Sequence, residues 1–485
     1  MTDDRSNSGR WLPRGWLLPL VVALVVRLAM LVPSVGRVFQ GDEPAYRGLA
    51  SAWADLGAYT GQWPPLHSAM LAGCYRAFGE GGEAAARVVL SLLSVWSCAW
   101  LMALAQRAHS ESAGRIAGWI GALYLPLLPF AHVLLSEGLA IAVLLPALTL
   151  LLAVAQGAAT GTRATIALVV AGAFLGLSCL TRETGLFWLV AITAWGLAAL
   201  REPSQAIAIR RPALVAAVAL TVVAPWSARA SQSLGTFQLL GRTAGVNAYM
   251  GWNADYVNFD LAGLDVPTEG VPVAATRARL LEPPPETAKW QYEFVPHVGE
   301  RDRLHVQRGA AFAREHPAFF ARTRVVKAAD LATPLSFMTR FLRMPEGDPS
   351  LRGARRSGGY GAPLDATAAR VVLSVLALLS VLAVALLGAL GSTVVELRRG
   401  AASLLVAGFV ASSSVALVVA MSRFRAPFEA LLLVPAAAAI ATLAQSGRWR
   451  PGVPPKVALA LVLLVLAGLW TLSIPPVVAS FRSLL

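Results

Sequence analysis

Long apolar runs constrain this chain more than any other feature. A helix of roughly 20 apolar residues crosses a hydrocarbon core of about 30 Å. Eleven such runs are present in the 485 residues, at about 15–35, 84–105, 113–130, 132–155, 165–181, 184–200, 212–228, 368–390, 401–421, 426–445 and 456–475. With 56% hydrophobic and 14% charged residues, the chain has too much apolar surface for a water-soluble globule. The sequence predicts an all-α polytopic membrane protein with about eleven transmembrane helices.

The basic residues predict the orientation of these helices. Counted from a cytoplasmic N-terminus, the inner connections hold most of the arginines of the short loops, whereas the short outer ones hold only Arg182, Arg423 and Arg425. Positive charge is retained on the cytoplasmic side of membranes, so we expect the N-terminus inside and the C-terminus outside. The net charge of +14 then reflects topology and does not indicate nucleic-acid binding. The abundance of arginine and alanine favours a bacterial source, and hence the inner membrane.

Two connections on the outer side are long, and they suggest three regions. Residues 1–228 form an N-terminal transmembrane catalytic module that includes the outer loop 36–83. Residues 229–367 form a large outer loop, and residues 368–485 form the C-terminal transmembrane helices. Because every inner connection is short, any site of substantial size is expected on the outer side.

The first outer loop contains an acidic pair, Asp42 and Glu43, in the stretch "VFQGDEPAYRGLASAW". Apolar residues recur after it at helical spacing, which predicts an amphipathic helix lying on the outer membrane face and ending at Gly57. Two roles for Asp42 remain open at this point. It is either the N-cap of that helix, with Pro44 in the first turn, or a functional acid at the mouth of a polar chamber.

Nine charged residues lie within or at the edges of apolar runs, and under the predicted topology all lie toward the outer ends: Arg27, Arg87, Glu137, Arg182, Glu183, Arg229, Arg423, Arg425 and Glu429. Charge at such depth usually faces a cavity or a partner. Clustering on one side therefore predicts a polar chamber that opens at the outer leaflet. For individual residues a structural role stays open: Arg27 and Arg87 pairing with acids between helices, Arg423 and Arg425 anchoring to lipid headgroups.

Carboxylates and guanidinium groups in one chamber suit a particular kind of reaction. A carboxylate removes a proton while arginines hold an anionic leaving group, for which a phosphate is the natural candidate.

The order and spacing of several stretches resemble the GT-C glycosyltransferases of the protein O-mannosyltransferase type, a family with bacterial relatives acting on lipopolysaccharide core and lipid A. The stretches are "GDEPAYRGLA", "WPPLHSAMLAGCYRAFG", "AAARVVLSLLS", "LLSEGLAIAVLL", "LTRETGLFWL", "APWSARASQSLGTFQLL", "GVNAYMGWN", "REHPAFFARTRVVK" and "SRFRAPFEALLLVPAAA". The resemblance implies a GT-C fold. It also implies transfer of a sugar from a polyprenyl phosphate to an acceptor hydroxyl on the outer face, with inversion at the anomeric carbon.

The resemblance also implies roles for residues. Asp42 matches the catalytic acid, interpreted as general base, with Glu43 as its neighbour, and which of the two is the base stays open. Glu137 matches the acid that opens the fourth span. The candidates for binding the donor phosphate or substrate are Tyr46, Arg27, Arg182, Arg229, Arg423 and Arg425.

Three positions depart from the family pattern. Ala230 follows Arg229 where an asparagine is common, which weakens any role for that arginine, and Ala430 stands where a second proline is usual. Gln62 and Trp63 precede Pro64 where the lipid A aminoarabinose transferases have a charged pair, so aminoarabinose is not the expected sugar.

No metal or other cofactor is expected, since the six histidines show no ligand spacing and the family is thought to work without one. His132 lies five residues before Glu137. It either orients that acid or, as is more common for a histidine, simply packs at an interface between helices. The expected partners are a lipid-linked sugar, an acceptor glycan, lipid or protein, and the bilayer.

Two other functions are compatible with a polytopic chain that contains buried charges. A transporter or flippase of lipid-linked sugars would also be polytopic with buried charges, but such proteins often have two matching halves and charged or broken helices near the midplane. A family member that has lost activity and serves in assembly is the other. The lopsided loops and the acids Asp42, Glu43 and Glu137 favour the enzyme over both.

Overall fold

The computed structural model describes residues 15–34, 42–57, 63–200, 209–234, 237–241, 244–252, 298–342, 367–418, 422–446, 453–474, 477–478 and 481. Most of the predicted outer loop 229–367 therefore lies outside the described residues, including "NADYVNF" at 253–259 and the Gly/Arg-rich stretch from Leu351. The division into three regions stays a prediction.

The described residues of the N-terminal half form nine α-helices: α1 Leu17–Ser34, α2 Glu43–Leu56, α3 Pro65–Phe78, α4 Gly82–Ala108, α5 Glu111–Leu123, α6 Glu137–Ala155, α7 Gly161–Thr181, α8 Gly185–Ala199 and α9 Arg210–Leu234. The remaining described helices are α10 Ala244–Trp252, α11 Val298–Glu315, α12 Pro317–Ala332, α13 Phe337–Leu342, α14 Thr367–Thr393, α15 Ala401–Ser413, α16 Ala426–Ser446 and α17 Val453–Leu472. Short 3-10 helices occur at Gly79–Gly81, Leu125–Ala131, Ser414–Leu417 and Ser422–Arg425. No strand occurs in the described part of the chain.

The protein is an all-α polytopic membrane protein. Among the residues that the structure describes, six helical segments are long and apolar enough to cross a membrane: Pro65–Ala108, Glu137–Ala155, Gly161–Thr181, Arg210–Ser233, Ala368–Thr393 and Arg423–Gln445. Four shorter apolar helices, Leu17–Val32, Gly185–Ala199, Ala401–Leu417 and Lys456–Leu472, bring to ten the predicted spans that coincide with such a helix. The predicted span 113–130 falls instead on α5 and the 3-10 helix that follows it.

The predicted span 132–155 begins too early, because α6 starts only at Glu137. Pro126 and Pro129 lie in the preceding 3-10 helix, and proline lacks the N–H that a continuous α-helix would use. The segment between the two helices stays buried as a series of turns. This break makes Glu137 the first residue of a helix, and its carboxylate is buried there.

Helix α6 is the centre of the bundle. Every residue of α6 except Leu150 is buried, and the helix contacts α4, α7, α15 and α16. A helix that is apolar on all sides suits such a position, since no face has to meet water. The first residue of α6 is therefore held by the surrounding helices.

Helices α7 and α9 pack closely through two glycines four residues apart on α7. A Cβ atom on Gly172 would lie 2.7 Å from the carbonyl oxygen of Val215, and one on Gly176 would lie 2.7 Å from that of Ala219. Small residues at this spacing let two membrane helices approach each other closely. Since Arg182 follows α7 directly, this contact helps to fix its position.

We expect Gly176→Ala to lower the stability of the folded protein in detergent by on the order of 1–3 kcal/mol, because the added methyl group overpacks the contact. Gly73→Ala is the matched control. Gly73 lies in α3 with open space around its Cβ position, and replacing a helical glycine there raises stability slightly. Thermal unfolding of the purified variants measures both effects, and an equal response of the two would contradict the packing argument.

Candidate active site

Four charged side chains meet where helices begin or end. Asp42 lies directly before α2, Glu137 begins α6, Arg182 follows the last residue of α7, and Arg423 lies in the 3-10 helix before α16. We call these four residues the charged cluster. Its members are distant in sequence and are brought together only by the fold.

The two arginines of the charged cluster hold its two carboxylates. Arg423 forms an ion pair with Asp42, and its Nε lies 3.6 Å from Glu137 Oε1. Arg182 Nη1 lies 2.8 Å from the same Glu137 oxygen. The side chain of Glu137 is only 1% exposed, whereas that of Asp42 is 40% exposed. Glu137 is therefore the buried anchor of the cluster and Asp42 is its solvent-accessible member.

Ser136 connects the charged cluster to α2. Its hydroxyl oxygen accepts a hydrogen bond of 2.8 Å from Arg182 Nη1 and one of 3.1 Å from Tyr46 Oη. Burial raises the pKa of Tyr46 to about 12, so the phenol stays protonated at neutral pH and donates this bond. Tyr46 thus belongs to the site as a neutral donor. Ser136 was not singled out from the sequence.

Phe424 lies beneath both guanidinium groups of the charged cluster. The Cζ atoms of Arg182 and Arg423 are 5.1 Å and 5.2 Å from the centre of its ring. Such distances allow cation–π attraction, which favours a fixed orientation of each planar group. One ring therefore sets the relative position of two cations from different helices.

A tight reversal places Arg182. Arg182 has an extended backbone after the end of α7, and its carbonyl accepts a 2.9 Å hydrogen bond from the N–H of Gly185, which begins α8. A Cβ atom on Gly185 would lie 2.5 Å from the backbone nitrogen of Cys179, so only glycine fits. The "TRETG" stretch is therefore a compact turn that projects the arginine at the end of the bundle.

The N-terminus of α2 distinguishes between the two roles left open for Asp42. Asp42 has the N-cap position and Pro44 lies in the first turn, yet its side chain makes no capping hydrogen bond. The carboxylate is paired with Arg423 instead. An N-cap stabilises a helix through its side-chain oxygen, so capping does not explain this residue. The helix ends as predicted at Gly57, which has a φ of 67°.

Glu43 belongs to a different network, in which its own side chain and that of Arg87 are fully buried. Its Oε1 accepts a 2.7 Å hydrogen bond from the N–H of Leu134 and lies 4.0 Å from Arg87 Nη1. Arg87 also pairs with Glu83 at 2.8 Å and donates to the carbonyl of His132. Glu43 thus ties α2 to the turns that precede Glu137. It is a positioning residue beside the charged cluster.

Arg425 faces away from the charged cluster. A 3-10 helix has about three residues per turn, so residues two apart point in different directions. Arg425 donates to the carbonyls of Leu331, Thr333 and Leu335 at the end of α12 and the segment that follows, and its Nε lies 3.6 Å from Glu429. It anchors the turn that carries Arg423, and its contacts are with these carbonyls and Glu429 instead of with the charged cluster.

Arg27 and Arg229 also lie apart from the charged cluster. Arg27 is buried between α1, α4 and α5, where it donates to Ser94 and to the carbonyls of Ala23, Gly121 and Ala122. Arg27 therefore joins helices, which is the structural role left open for it above, but it does so through carbonyls and not through acids. Arg229 is exposed on α9, and no described contact joins it to the cluster.

Within the described residues, no group of three His, Cys, Asp or Glu side chains is placed to hold a metal ion. His132 is buried, and its carbonyl accepts from Arg87. The three cysteines, Cys74, Cys98 and Cys179, are buried and unpaired by disulfides. Metal-independence stays a prediction.

The chain matches no known protein family by sequence. No curated protein matches it either.

Among solved structures, the chain is similar to ArnT from Cupriavidus metallidurans bound to undecaprenyl phosphate, with 17% identity, 89% of this chain and 80% of that chain covered, and a TM-score of 0.39. It is also similar to the oligosaccharyltransferase AglB from Archaeoglobus fulgidus in complex with an inhibitory peptide and a dolichol-phosphate, with 15% identity, 96% and 56% covered, and a TM-score of 0.42. The apo form of the Archaeoglobus fulgidus oligosaccharyltransferase is similar with 14% identity, 98% of this chain and 56% of that chain covered, and a TM-score of 0.47. The chain thus spans little more than half the length of these oligosaccharyltransferases. These scores describe a loose likeness of the chain path, and the side chains above define the site.

We expect Arg425→Ala to destabilise the protein by about 3–5 kcal/mol, because it leaves Glu429 buried without its cation and removes donors to three carbonyls. Adding Glu429→Gln should recover part of the loss, because it removes the buried charge. In the wild type Tyr124 Oη donates to Glu429 Oε1 at 2.6 Å, and the glutamine oxygen can still accept this bond. Thermal unfolding in detergent is the measurement. A wild-type melting temperature for Arg425→Ala would show that the arginine does not anchor the turn.

Proposed function

We propose that the protein is a GT-C glycosyltransferase that moves a sugar from a polyprenyl phosphate to an acceptor hydroxyl, with inversion at the anomeric carbon. The observation that carries the proposal is the charged cluster, in which a partly exposed carboxylate and a buried one share two arginines. The proposal places the enzyme in the bacterial inner membrane, with its N-terminus in the cytoplasm and its site at the outer face. The acceptor is a protein, a lipopolysaccharide or another envelope glycan.

In the proposed reaction Asp42 is the general base. It accepts the proton of the acceptor hydroxyl, and the acceptor oxygen then forms the new bond to the anomeric carbon. The bond from that carbon to the phosphate oxygen breaks on the opposite face, and its electron pair stays with the polyprenyl phosphate. The 40% exposure of the Asp42 side chain gives an acceptor access to the carboxylate. A well-placed general base contributes about 10²–10⁴ to a rate.

Arg182 and Arg423 are proposed to bind the donor phosphate. Loss of the sugar turns a phosphodiester monoanion into a monoester that carries more negative charge, so two guanidinium groups stabilise the leaving group more than the bound donor. Phe424 keeps both groups oriented. Tyr46 and Ser136 orient Arg182 through hydrogen bonds.

Binding of the phosphate is proposed to release the base. In the described structure the two carboxylates of the charged cluster balance its two arginines, so an added anion has to replace one carboxylate at an arginine. Glu137 is 1% exposed, and separating a buried charge from its partners costs several kcal/mol. Asp42 is 40% exposed, so its carboxylate regains hydration when it leaves Arg423 and is the easier of the two to displace. The donor therefore displaces Asp42 from Arg423 and frees its carboxylate to accept a proton.

A transporter or flippase of lipid-linked sugars remains the alternative. Its chemistry needs no general base, so replacing Asp42 would affect translocation only through substrate binding. No described contact favours it specifically, because the charged cluster lies at the ends of helices and not near their midpoints.

We expect Asp42→Asn to lower sugar transfer about 10²–10⁴-fold, since the amide cannot accept the proton. Glu43→Gln should lower it less than about tenfold, because the glutamine oxygen still accepts from the N–H of Leu134 and Arg87 keeps Glu83. Asp55→Asn, at an exposed position of α2, is the inert control. Membranes containing each variant are supplied with radiolabelled polyprenyl-phosphate sugars, and label in acceptor fractions is counted. Undiminished transfer by Asp42→Asn would remove Asp42 as the base.

We further expect Asp42→Asn to bind undecaprenyl phosphate about three- to tenfold more tightly than the wild type, because the competing carboxylate is gone. Arg423→Gln should bind it more weakly. The affinities are measured by calorimetry or by competition with a labelled lipid in detergent. Unchanged or weaker binding by Asp42→Asn would refute the exchange of carboxylate for phosphate, while leaving the assignment of the base to the transfer assay.

A further inference from the structure

Tyr46 also belongs to an aromatic stack, whose other members, Trp63 and His67, are not used by the chemistry proposed above. The centre of the Trp63 ring lies 4.4 Å from that of Tyr46, with an angle of 34° between the ring planes. The His67 ring packs edge-on against Tyr46, with 4.8 Å between the ring centres. Tyr46 and His67 are buried, whereas Trp63 is only partly buried. Trp63 is therefore the member of this stack that has surface left to meet a ligand.

The backbone holds Trp63 in place. Pro64 follows it with a φ of −53° and a ψ of 142°, and Pro65 begins α3. A residue before proline is restricted to extended conformations, and the second proline fixes the next turn. The indole is thus positioned in advance, with little conformational entropy left to lose when a ligand binds.

Two side chains separate Trp63 from one of the arginines proposed to hold the donor phosphate. Tyr46, which Trp63 contacts, donates to Ser136, and Ser136 accepts from Arg182. In a glycosyl phosphate the sugar ring is joined to the phosphorus through a single oxygen. A phosphate at Arg182 and Arg423 therefore puts the sugar close to this chain of contacts, and Trp63 is its partly exposed end.

We propose that Trp63 is a specificity-determining residue that stacks against the sugar ring of the donor. This inference rests on the proposed function, since it takes the phosphate position from it. A pyranose has an apolar face of C–H groups, and a flat aromatic ring can cover that face without hydrogen bonding. The indole carries no charge to pair with an ionic substituent, so the preferred sugar is a neutral pyranose.

The experiment separates the contribution of the sugar from that of the phosphate. Purified full-length protein is titrated with farnesyl phosphate and with farnesyl phosphate bearing mannose, glucose or galactose, and the dissociation constants are measured by calorimetry. The gain in affinity from the sugar is the ratio of the constant for farnesyl phosphate to that for the tightest glycosylated lipid. Trp119→Ala is the matched control, because Trp119 lies on α5 with 39% of its surface exposed.

In Trp63→Ala we expect this gain to fall about tenfold while the affinity for farnesyl phosphate itself changes less than twofold. Trp63→Phe keeps a ring and should lose no more than about threefold, and Trp119→Ala should match the wild type. Melting temperatures of all variants identify any that fail to fold, in which case Trp63→Phe and its partial loss decide.

Two results would overturn the inference: an unchanged affinity of Trp63→Ala for the glycosylated lipids, or an equal loss of affinity for farnesyl phosphate and its glycosylated forms. Each leaves the proposed function to be judged by transfer and by Asp42→Asn. Failure of the wild type to bind any farnesyl phosphate would instead count against the proposed function.

Discussion

The burial of one carboxylate organises this end of the protein. Glu137 is the first residue of a helix that is enclosed by its neighbours, and an ionised carboxylate in such a place needs cations close to it. Arg182 arrives from the end of α7 and Arg423 from the turn before α16, so the fold has to bring three distant parts of the chain together. Asp42 joins through Arg423. The arrangement of the site follows from the need to balance the charge of Glu137.

Buried arginines elsewhere meet the same requirement in a different way. Arg27 donates to carbonyls at the end of α5, and Arg425 donates to carbonyls at and after the end of α12. The last carbonyls of a helix lack partners within it and carry partial negative charge, so a guanidinium group satisfies several of them at once. These arginines stabilise the contacts between helices. Arg182 and Arg423 differ because they pair with carboxylates from distant parts of the chain, whereas Arg425 pairs with Glu429, four residues away.

This difference explains which parts of the site could be predicted from sequence. Apolar runs and the amphipathic period after Asp42 depend on local sequence, so the sequence predicts the helices and α2 well. Arginines at the edges of apolar runs look alike in sequence whether they bind a carbonyl or a carboxylate. The sequence therefore predicts the same phosphate-binding role for Arg27 and Arg425 as for Arg423. The two arginines of "SRFR" point apart because the turn is helical, whereas an extended segment would put them on the same side. Ser136 precedes Glu137 and shows no pattern of its own.

Helix α6 has one more consequence. Because nearly all of its surface touches other helices, a shift of its first turn would disturb packing along the whole bundle. Helix α2 and the start of α3 also border the charged cluster, but they contain partly exposed residues. Side chains near the cluster can therefore be exchanged on α2 and α3 with less disturbance of the packing than on α6.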